Sequence, residues 1–341
     1  MAREPQPSLQ DEWSAWEPYP QRQPYWPGLG VEHTDGYEVN SSRLQAIGMR
    51  LMTELNETAE LLSGSLVSDR YDRMGYWPTS WMGAQTWAWY VGGFEDTLAL
   101  LTMDVMRETA MGARLVATSG HTYELADQAP WLPKHGSWIA ADQSHRYEVT
   151  GTYPSGSVKL SEPHENIEKV IEHWTATDRI EDTGRDFIRL QIMSWKPGTL
   201  TDHAREITVR ADRLVEFMHG LMSRAQDMRG APWRGTAADH AQQTLRQIFE
   251  TARGLAAVWG QIAQGLTAAA GIVATAQSRF DAVVNKGGWE FSDLWNGDDE
   301  DARRFLREVD RQLADVLRQM PQTARIDLPG LIPKEQRRIS P

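Results

Sequence analysis

The sequence contains no cysteine, and this absence excludes several kinds of site. Without thiols the chain can form neither disulfides nor the thiolate metal centres of zinc fingers and iron–sulfur proteins. An excess of positive charge is also missing, because 47 acidic residues against 35 basic ones give a formal net charge of −12. Binding to nucleic acid depends largely on lysine and arginine, so we expect no nucleic-acid partner.

Long hydrophobic runs are missing as well. The most apolar stretch, residues 262–276, is interrupted by Gln264 and Gly265, and we expect it to be too short and too mild to span a bilayer. The first residues show no apolar core of a signal peptide. We therefore expect a chain that is soluble when made and that either stays cytoplasmic or leaves the cell by a route without a cleaved leader.

Signatures of catalysis are absent too. The sequence has no HExxH, GxGxxG, P-loop or GxSxG pattern, and His164 and His173 are too far apart along one helix to share a metal ion. The run Asp298–Asp301 is either a cation site or a solvated helix start that complements the helix dipole, and the second interpretation is the more common one. We expect no enzyme, no catalytic residue, no metal and no cofactor.

What the sequence does contain is long amphipathic helices. Apolar residues recur every three or four positions over about 39–68 and again over about 84–126, which predicts two helices with one buried face each. Asn40 or Ser41 is a suitable N-cap for the first helix.

A second pair of helices is predicted from about residue 201 onward. Its apolar positions follow a heptad spacing up to about residue 284, which favours long helices packed nearly antiparallel. Gly254, Gly260 and Gly265 lie in this region and predict close approach of a neighbouring helix. Neither hairpin can bury its apolar face alone. The expected fold is therefore all-α, with two long helical hairpins packed as an antiparallel four-helix bundle, an irregular insert and an extra C-terminal helix.

The remaining segments complete a five-part organisation. The predicted parts are an extended Pro/Trp-rich arm over 1–36, a first helical hairpin over 37–127, an insert over 128–199, a second hairpin over 200–285, and a linker, amphipathic helix and tail over 286–341. The arm is either a loose tail or a segment anchored by its tryptophans, on protein or on a membrane. The insert is expected to hold a short β-hairpin near Pro154–Ser157 and a helix over 163–174.

Both predicted hairpins turn at the same tripeptide pattern, Trp-x-Gly. The first turn contains Trp81 and Gly83, and the second contains Trp233 and Gly235. The simplest interpretation is structural: the indole covers the end of an apolar core, and the glycine permits the turn. A further pattern, Tyr-x-x-x-Asp, ends the first hairpin at Tyr123 and Asp127, which lie one turn apart on a helix.

These patterns together resemble the WXG family of type VII (ESX-like) secretion, and the arrangement is similar to fused substrates of the PE/PPE kind. The likeness covers about half of the chain, namely the two hairpins. The second hairpin departs from it, since Phe280 stands where a tyrosine is expected and no acidic residue follows at the fourth position.

The resemblance implies a non-enzymatic substrate or structural component, a single-chain pseudo-heterodimer. A composite patch of Tyr123, Asp127 and Trp233 is then expected to bind a membrane-bound ATPase of the FtsK/SpoIIIE type, with a dedicated chaperone as a further possible partner. The resemblance also places Gly235, Trp81 and Gly83 among the signal and partner-binding residues. It implies a chain that is secreted or placed in the cell envelope by a leaderless route. Two alternatives stay open: a homo-oligomeric scaffold, forming a ring or filament without an export signal, and an effector whose site lies in 128–199. A helix-end tyrosine beside a solvated carboxylate is the structural alternative to the signal.

Overall fold

The structure is a computed structural model that describes residues 40–66, 81–128, 156–160, 183–231, 233, 236–284 and 297–331. These residues are almost entirely helical, which confirms the expected all-α class. The predicted arm over 1–36 and the predicted helix over 163–174 lie outside the described residues.

In the described residues six helices and two short strands follow one another along the chain. They are α1 (Ser41–Leu66), α2 (Met82–Gln128), β1 (Gly156–Lys159), α3 (Arg185–Ser194), α4 (Pro197–Arg229), α5 (Thr236–Val284), α6 (Gly297–Gln319) and β2 (Thr323–Ile326).

Helix α1 starts after one of the two residues that the sequence offered as its N-cap. Asn40 is its N-cap, because the side-chain oxygen of Asn40 accepts a hydrogen bond of 3.0 Å from the backbone N–H of Arg43. The first α-helical bond, from Leu44 N–H to the Asn40 carbonyl, closes at 3.1 Å. The predicted apolar face of α1 is buried at Leu44, Ile47, Leu51 and Leu55.

Among the long helices, α1 contacts α2 and α4, and α5 contacts α2 and α4. Helices α1 and α2 run in opposite directions. Gly120 near the end of α2 lies against Ser41 at the start of α1, and Gly112 of α2 lies near Thr244 and Ile248 of α5. The apolar stripes of these helices form one continuous core.

The shorter helices pack at one end of this core. Helix α6 contacts α5, α3 and α2, and α3 also contacts α5. Asp299, in the first turn of α6, accepts a hydrogen bond of 2.7 Å from the backbone N–H of Arg185, the first residue of α3. A carboxylate at a helix N-terminus is favourable because it meets unpaired N–H groups and the positive end of the helix dipole. Asp299 is therefore a contact between helices, in addition to matching the dipole of its own helix.

The strand β1 differs from the sequence-based expectation. The sequence predicted a local hairpin around Pro154–Ser157, but Gly156–Lys159 pairs antiparallel with Thr323–Ile326, more than 150 residues away, in the register Gly156↔Ile326. The residues before Gly156 lie outside the described part. Local turn signals could not indicate this partner, because strand pairing does not depend on sequence separation.

The segment after α6 also differs from expectation, since it was interpreted as tail. Ala324, Ile326 and Leu328 are buried against the core. The Thr251 hydroxyl of α5 donates to the carbonyl of Asp327 and accepts from its N–H, both at 3.0 Å. The backbone N–H of Leu331 donates to the buried carboxylate of Glu108 on α2 at 2.6 Å. Residues 323–331 therefore lie along α5 and reach α2.

Two glycines of α5, Gly265 and Gly254, lie close to the chain that follows α6. A Cβ on Gly265 would lie 2.7 Å from the Met320 sulfur, and one on Gly254 would lie 3.7 Å from the Arg325 carbonyl oxygen. The predicted close approach therefore exists at Gly265. The sequence predicted that a neighbouring helix would approach Gly265. The residue found there is Met320, which directly follows α6.

Candidate functional site

The Trp81 end of the molecule is where α2 begins and where α3 and α6 pack. Trp81 directly precedes α2, and its carbonyl accepts the hydrogen bond of Gln85 N–H at 3.0 Å. Its indole is 1% exposed, and Nε1 donates to the Asp310 carboxylate of α6 at 2.8 Å. The ring of Trp195 stands perpendicular to it at 5.1 Å between ring centroids.

Through these contacts Trp81 links the start of α2 to α6 and to the end of α3. Gln277 of α5 adds a fourth element, because its side-chain amide donates to the carbonyls of Ile192 (2.9 Å) and Trp195 (2.6 Å), which are at the end of α3. Such carbonyls have no partner within their own helix. Phe280, one turn further on, packs edge-on against Phe305 of α6 at 5.5 Å. Trp81 and Phe280 thus both lie at the end of the molecule where α6 packs.

The Trp233 end is the opposite one, where α1 begins, α2 ends and α4 turns into α5. Trp233 is 8% exposed, and its backbone N–H donates to the Ala231 carbonyl at 2.7 Å within the turn. A Cβ on the neighbouring Gly230 would lie 3.5 Å from the Arg43 guanidinium of α1. The indole closes this end of the core, in agreement with the structural interpretation of Trp-x-Gly.

The predicted signal residues lie at this same end. Helix α2 continues through Tyr123 and Asp127 to Gln128, beyond the point where Gly120 touches Ser41. The side chains of Tyr123 and Asp127, and residue Gly235, lie outside the described part. Gly83, in the first turn of α2, is buried. The backbone therefore brings the end of α2 and the turn at Trp233 to one end, and the composite patch stays a prediction.

A buried charged cluster between α2, α4 and α5 was missed by sequence analysis. Glu95 Oε1 lies 2.7 Å from His203 Nε2, and Glu95 Oε2 lies 3.1 Å from Arg210 Nη1. Arg210 is 4% exposed and stacks over the Trp259 ring, whose Nε1 donates to the Thr102 hydroxyl at 3.2 Å. The available signal was a histidine and an arginine seven residues apart on one face of α4.

Burial and charge act in opposite directions on Glu95. Loss of water raises the pKa of this carboxyl, but the hydrogen bonds and the electrostatic influence of His203 and Arg210 outweigh that effect. The pKa of Glu95 therefore lies below its ordinary value, and the carboxylate is charged at neutral pH. The arrangement is a buried salt bridge that links two helices. It is the pairing that a buried carboxylate needs in order to stay charged.

Within the described ranges, no group of three or more acidic or histidine side chains is placed to hold a metal ion. Residues 241–284 of α5 are long and apolar enough to cross a membrane, although 56% of the apolar window is buried inside the protein. The core helix of a soluble protein passes the same test, so this property alone assigns no location.

Fold and contacts together define an all-α protein in which buried polar contacts tie the ends of long helices together. No family model, no curated protein and no solved structure matches this chain.

Proposed function

We propose that this chain is a non-enzymatic substrate or structural component of a type VII-like secretion system. In this proposal α1–α2 and α4–α5 are two WXG-like hairpins that form a single-chain pseudo-heterodimer, packed as an antiparallel four-helix bundle. The packing of α1 on α4 and of α2 on α5 supports it, since each hairpin then buries the other's apolar face.

One observation carries the proposal: the end of α2 and the turn at Trp233 belong to the same end of the molecule. Gly120 lies against Ser41, and Gly230 lies near Arg43, so both meet the first residues of α1. A single partner surface could contact both. Tyr123 and Asp127 then provide the contact residues, one helical turn apart, and the buried ring of Trp233 fixes the turn beside them.

The proposed partner is a membrane-bound ATPase of the FtsK/SpoIIIE type. The other tripeptide, with Trp81 and Gly83, has a structural role in this proposal, because Trp81 is buried and bonded to Asp310. A dedicated chaperone remains a possible additional partner at the same end.

Export from the source strain tests the proposal. Wild type, Tyr123→Ala and Asp127→Ala are compared in cell lysate and culture medium, with a cytoplasmic protein as the lysis control. We expect wild type outside the cells and both variants retained inside, because each removes one of the two contact residues. Glu124→Ala is the matched control, since it changes a neighbouring helix residue outside the Tyr-x-x-x-Asp pattern, and it should be exported.

Retention has to occur with the fold intact, so each variant's thermal unfolding is measured alongside. If wild type never leaves the cell, or if Tyr123→Ala is exported as well as wild type, the proposal is wrong. In that case the tryptophans of the two Trp-x-Gly turns only cover the ends of the hydrophobic core.

A further inference from the structure

We propose that the outward face of α2 is the contact surface for a second copy of this chain. In the proposed dimer, two α2 helices pack antiparallel about a two-fold axis that passes between Leu101 and Thr102. This inference goes beyond the export proposal and holds whether or not the chain is exported.

The outward face of α2 carries large apolar side chains that the core does not cover. Trp89 is 53% exposed, Leu100 48% and Met103 37%. At about 100° per residue these three positions fall on one side of the helix, opposite the buried Phe94, Leu98 and Val105. An exposed apolar stripe on a long helix commonly marks a contact with another protein.

The stripe is self-complementary when it is read in both directions from its centre. Leu100 and Met103, Asp96 and Arg107, and Trp89 and Arg114 are three pairs, each placed symmetrically about the point between Leu101 and Thr102. A two-fold contact requires this pattern, because residue i must meet residue j while j meets i.

The symmetry has a definite chemical consequence. In an antiparallel pair, Leu100 packs against Met103 of the second copy, and Asp96 faces the second copy's Arg107. Trp89 faces Arg114 of the second copy, which permits a cation–π contact. Arg107 also lies 3.6 Å from Asp104 on its own helix, so two carboxylates flank each guanidinium.

The backbone on this face also permits close approach. Gly92 and Gly93 lie between Trp89 and Asp96, and a Cβ placed on Gly92 would meet nothing within 4 Å. A neighbouring helix can therefore come nearer here than side chains would otherwise allow.

Charge selects the second copy in this orientation over other occupants. In a parallel pair, Asp96 would face Asp96 and Arg107 would face Arg107, which is repulsive. Asp96 and Asp104 offset Arg107 and Arg114 on this face, so a chain with net charge −12 presents no excess of positive charge here to attract an anionic membrane. The mixed, mirrored charges fit a copy of the same helix.

The contact is of modest size. From Trp89 to Arg114 the stripe spans roughly 37 Å at about 1.5 Å per residue. A single helix pair of this length is at the small end of specific interfaces, so we expect dissociation in the micromolar range.

Mass measured by sedimentation across roughly 1–100 µM, which brackets such an affinity, tests the proposal. We expect the wild-type mass to rise from 38.6 kDa toward twice that value as concentration increases. Leu100→Glu should weaken the dimer at least about tenfold, because the new carboxylate would be buried at the axis. Leu190→Glu is the matched control, since Leu190 is 64% exposed on α3, and it should leave the dimer unchanged.

A charge exchange tests the register. Asp96→Arg alone should weaken the dimer, because it places two guanidiniums opposite each other. The combination of Asp96→Arg with Arg107→Asp should restore it, and loss of folding could not produce such a rescue.

Labelling identifies what covers the face. The chain has no cysteine, so Met103→Cys provides a single thiol, whose reaction with a maleimide should slow as protein concentration rises. Protection that does not change with concentration would mean that another segment of the same chain covers the face, and the proposal would be wrong. A monomer at every concentration, a dimer indifferent to Leu100→Glu, or a double exchange that fails to restore the dimer would each overturn it as well.

Discussion

At the scale of single residues, the most informative feature is the charged cluster around Glu95. A glutamate 15% exposed, held by His203 at 2.7 Å and Arg210 at 3.1 Å, joins α2 to α4. Removing one member of such a cluster leaves an uncompensated charge, which costs far more than the pair contributes when intact. The cluster was not predictable, because Glu95 and His203 are more than 100 residues apart and neither belongs to a recognisable motif.

Glu95→Gln should therefore lower the free energy of unfolding at pH 7 by about 3 kcal/mol, because Arg210 loses its buried counter-charge. The pKa of Glu95 in the folded chain lies below the ordinary value of 4.5. The contribution of the carboxylate is thus fully present above about pH 4.5 and is lost as pH falls through the lower folded-state pKa. Urea unfolding at several pH values should show the gap between wild type and variant narrowing below pH 4.5.

Asp202→Asn is the control for that measurement. Asp202 lies 2.8 Å from Arg205, but its side chain is 67% exposed. The substitution should therefore change the free energy of unfolding by less than about 0.5 kcal/mol. A gap for Glu95→Gln that stays constant down to pH 3 would show that packing, and not charge, accounts for the effect.

At the scale of elements, two glycines determine how closely α1 and α2 pack. A Cβ on Gly48 would lie 2.6 Å from the Ala117 nitrogen and 2.7 Å from the Ala113 oxygen, both backbone atoms that cannot move aside. Gly120 is equally close to the Ser41 carbonyl, at 2.6 Å. The sequence predicted both helices from their periodicity, yet Gly48 carried no signal that distinguished it from other helical glycines.

Gly48→Ala should lower the free energy of unfolding. Forcing the helices apart costs about 1–3 kcal/mol, which exceeds the gain of about 1 kcal/mol that alanine brings to a helix. Gly271→Ala is the matched control in α5, where a Cβ would meet nothing within 4 Å, and it should stabilise by up to about 1 kcal/mol. Thermal and urea unfolding measure both, and stabilisation by Gly48→Ala would contradict the close packing.

At the scale of the whole molecule, the segment after α6 connects the two hairpins. It pairs β2 with β1, lies along α5 through Thr251 and reaches Glu108 of α2. The sequence predicted the helix before it but interpreted the segment itself as tail, since four strand residues among prolines carry no helical or hairpin signal.

A chain ending at Gln322 should lose at least about 3 kcal/mol of unfolding free energy. It lacks the buried side chains of Ile326 and Leu328, and burying each of them contributes about 1.5–3 kcal/mol. A chain ending at Leu331 is the control, since it keeps every one of these contacts. Urea unfolding compares the two. Equal stability of both would mean that the segment only rests on the surface.

The sequence by itself determined the long helices, a cap at Asn40 or Ser41 and the apolar faces, because helix periodicity and capping are properties of neighbouring residues. Burial of Trp81 and Trp233 at the core ends also followed from their place in the turns. Only the tertiary structure decided that Trp81 meets Asp310, that Glu95 meets Arg210 and that Gly156 pairs with Ile326. These partners are 115–229 residues apart along the chain, and nothing in the local sequence specifies which distant group satisfies a buried charge, an indole N–H or a strand edge.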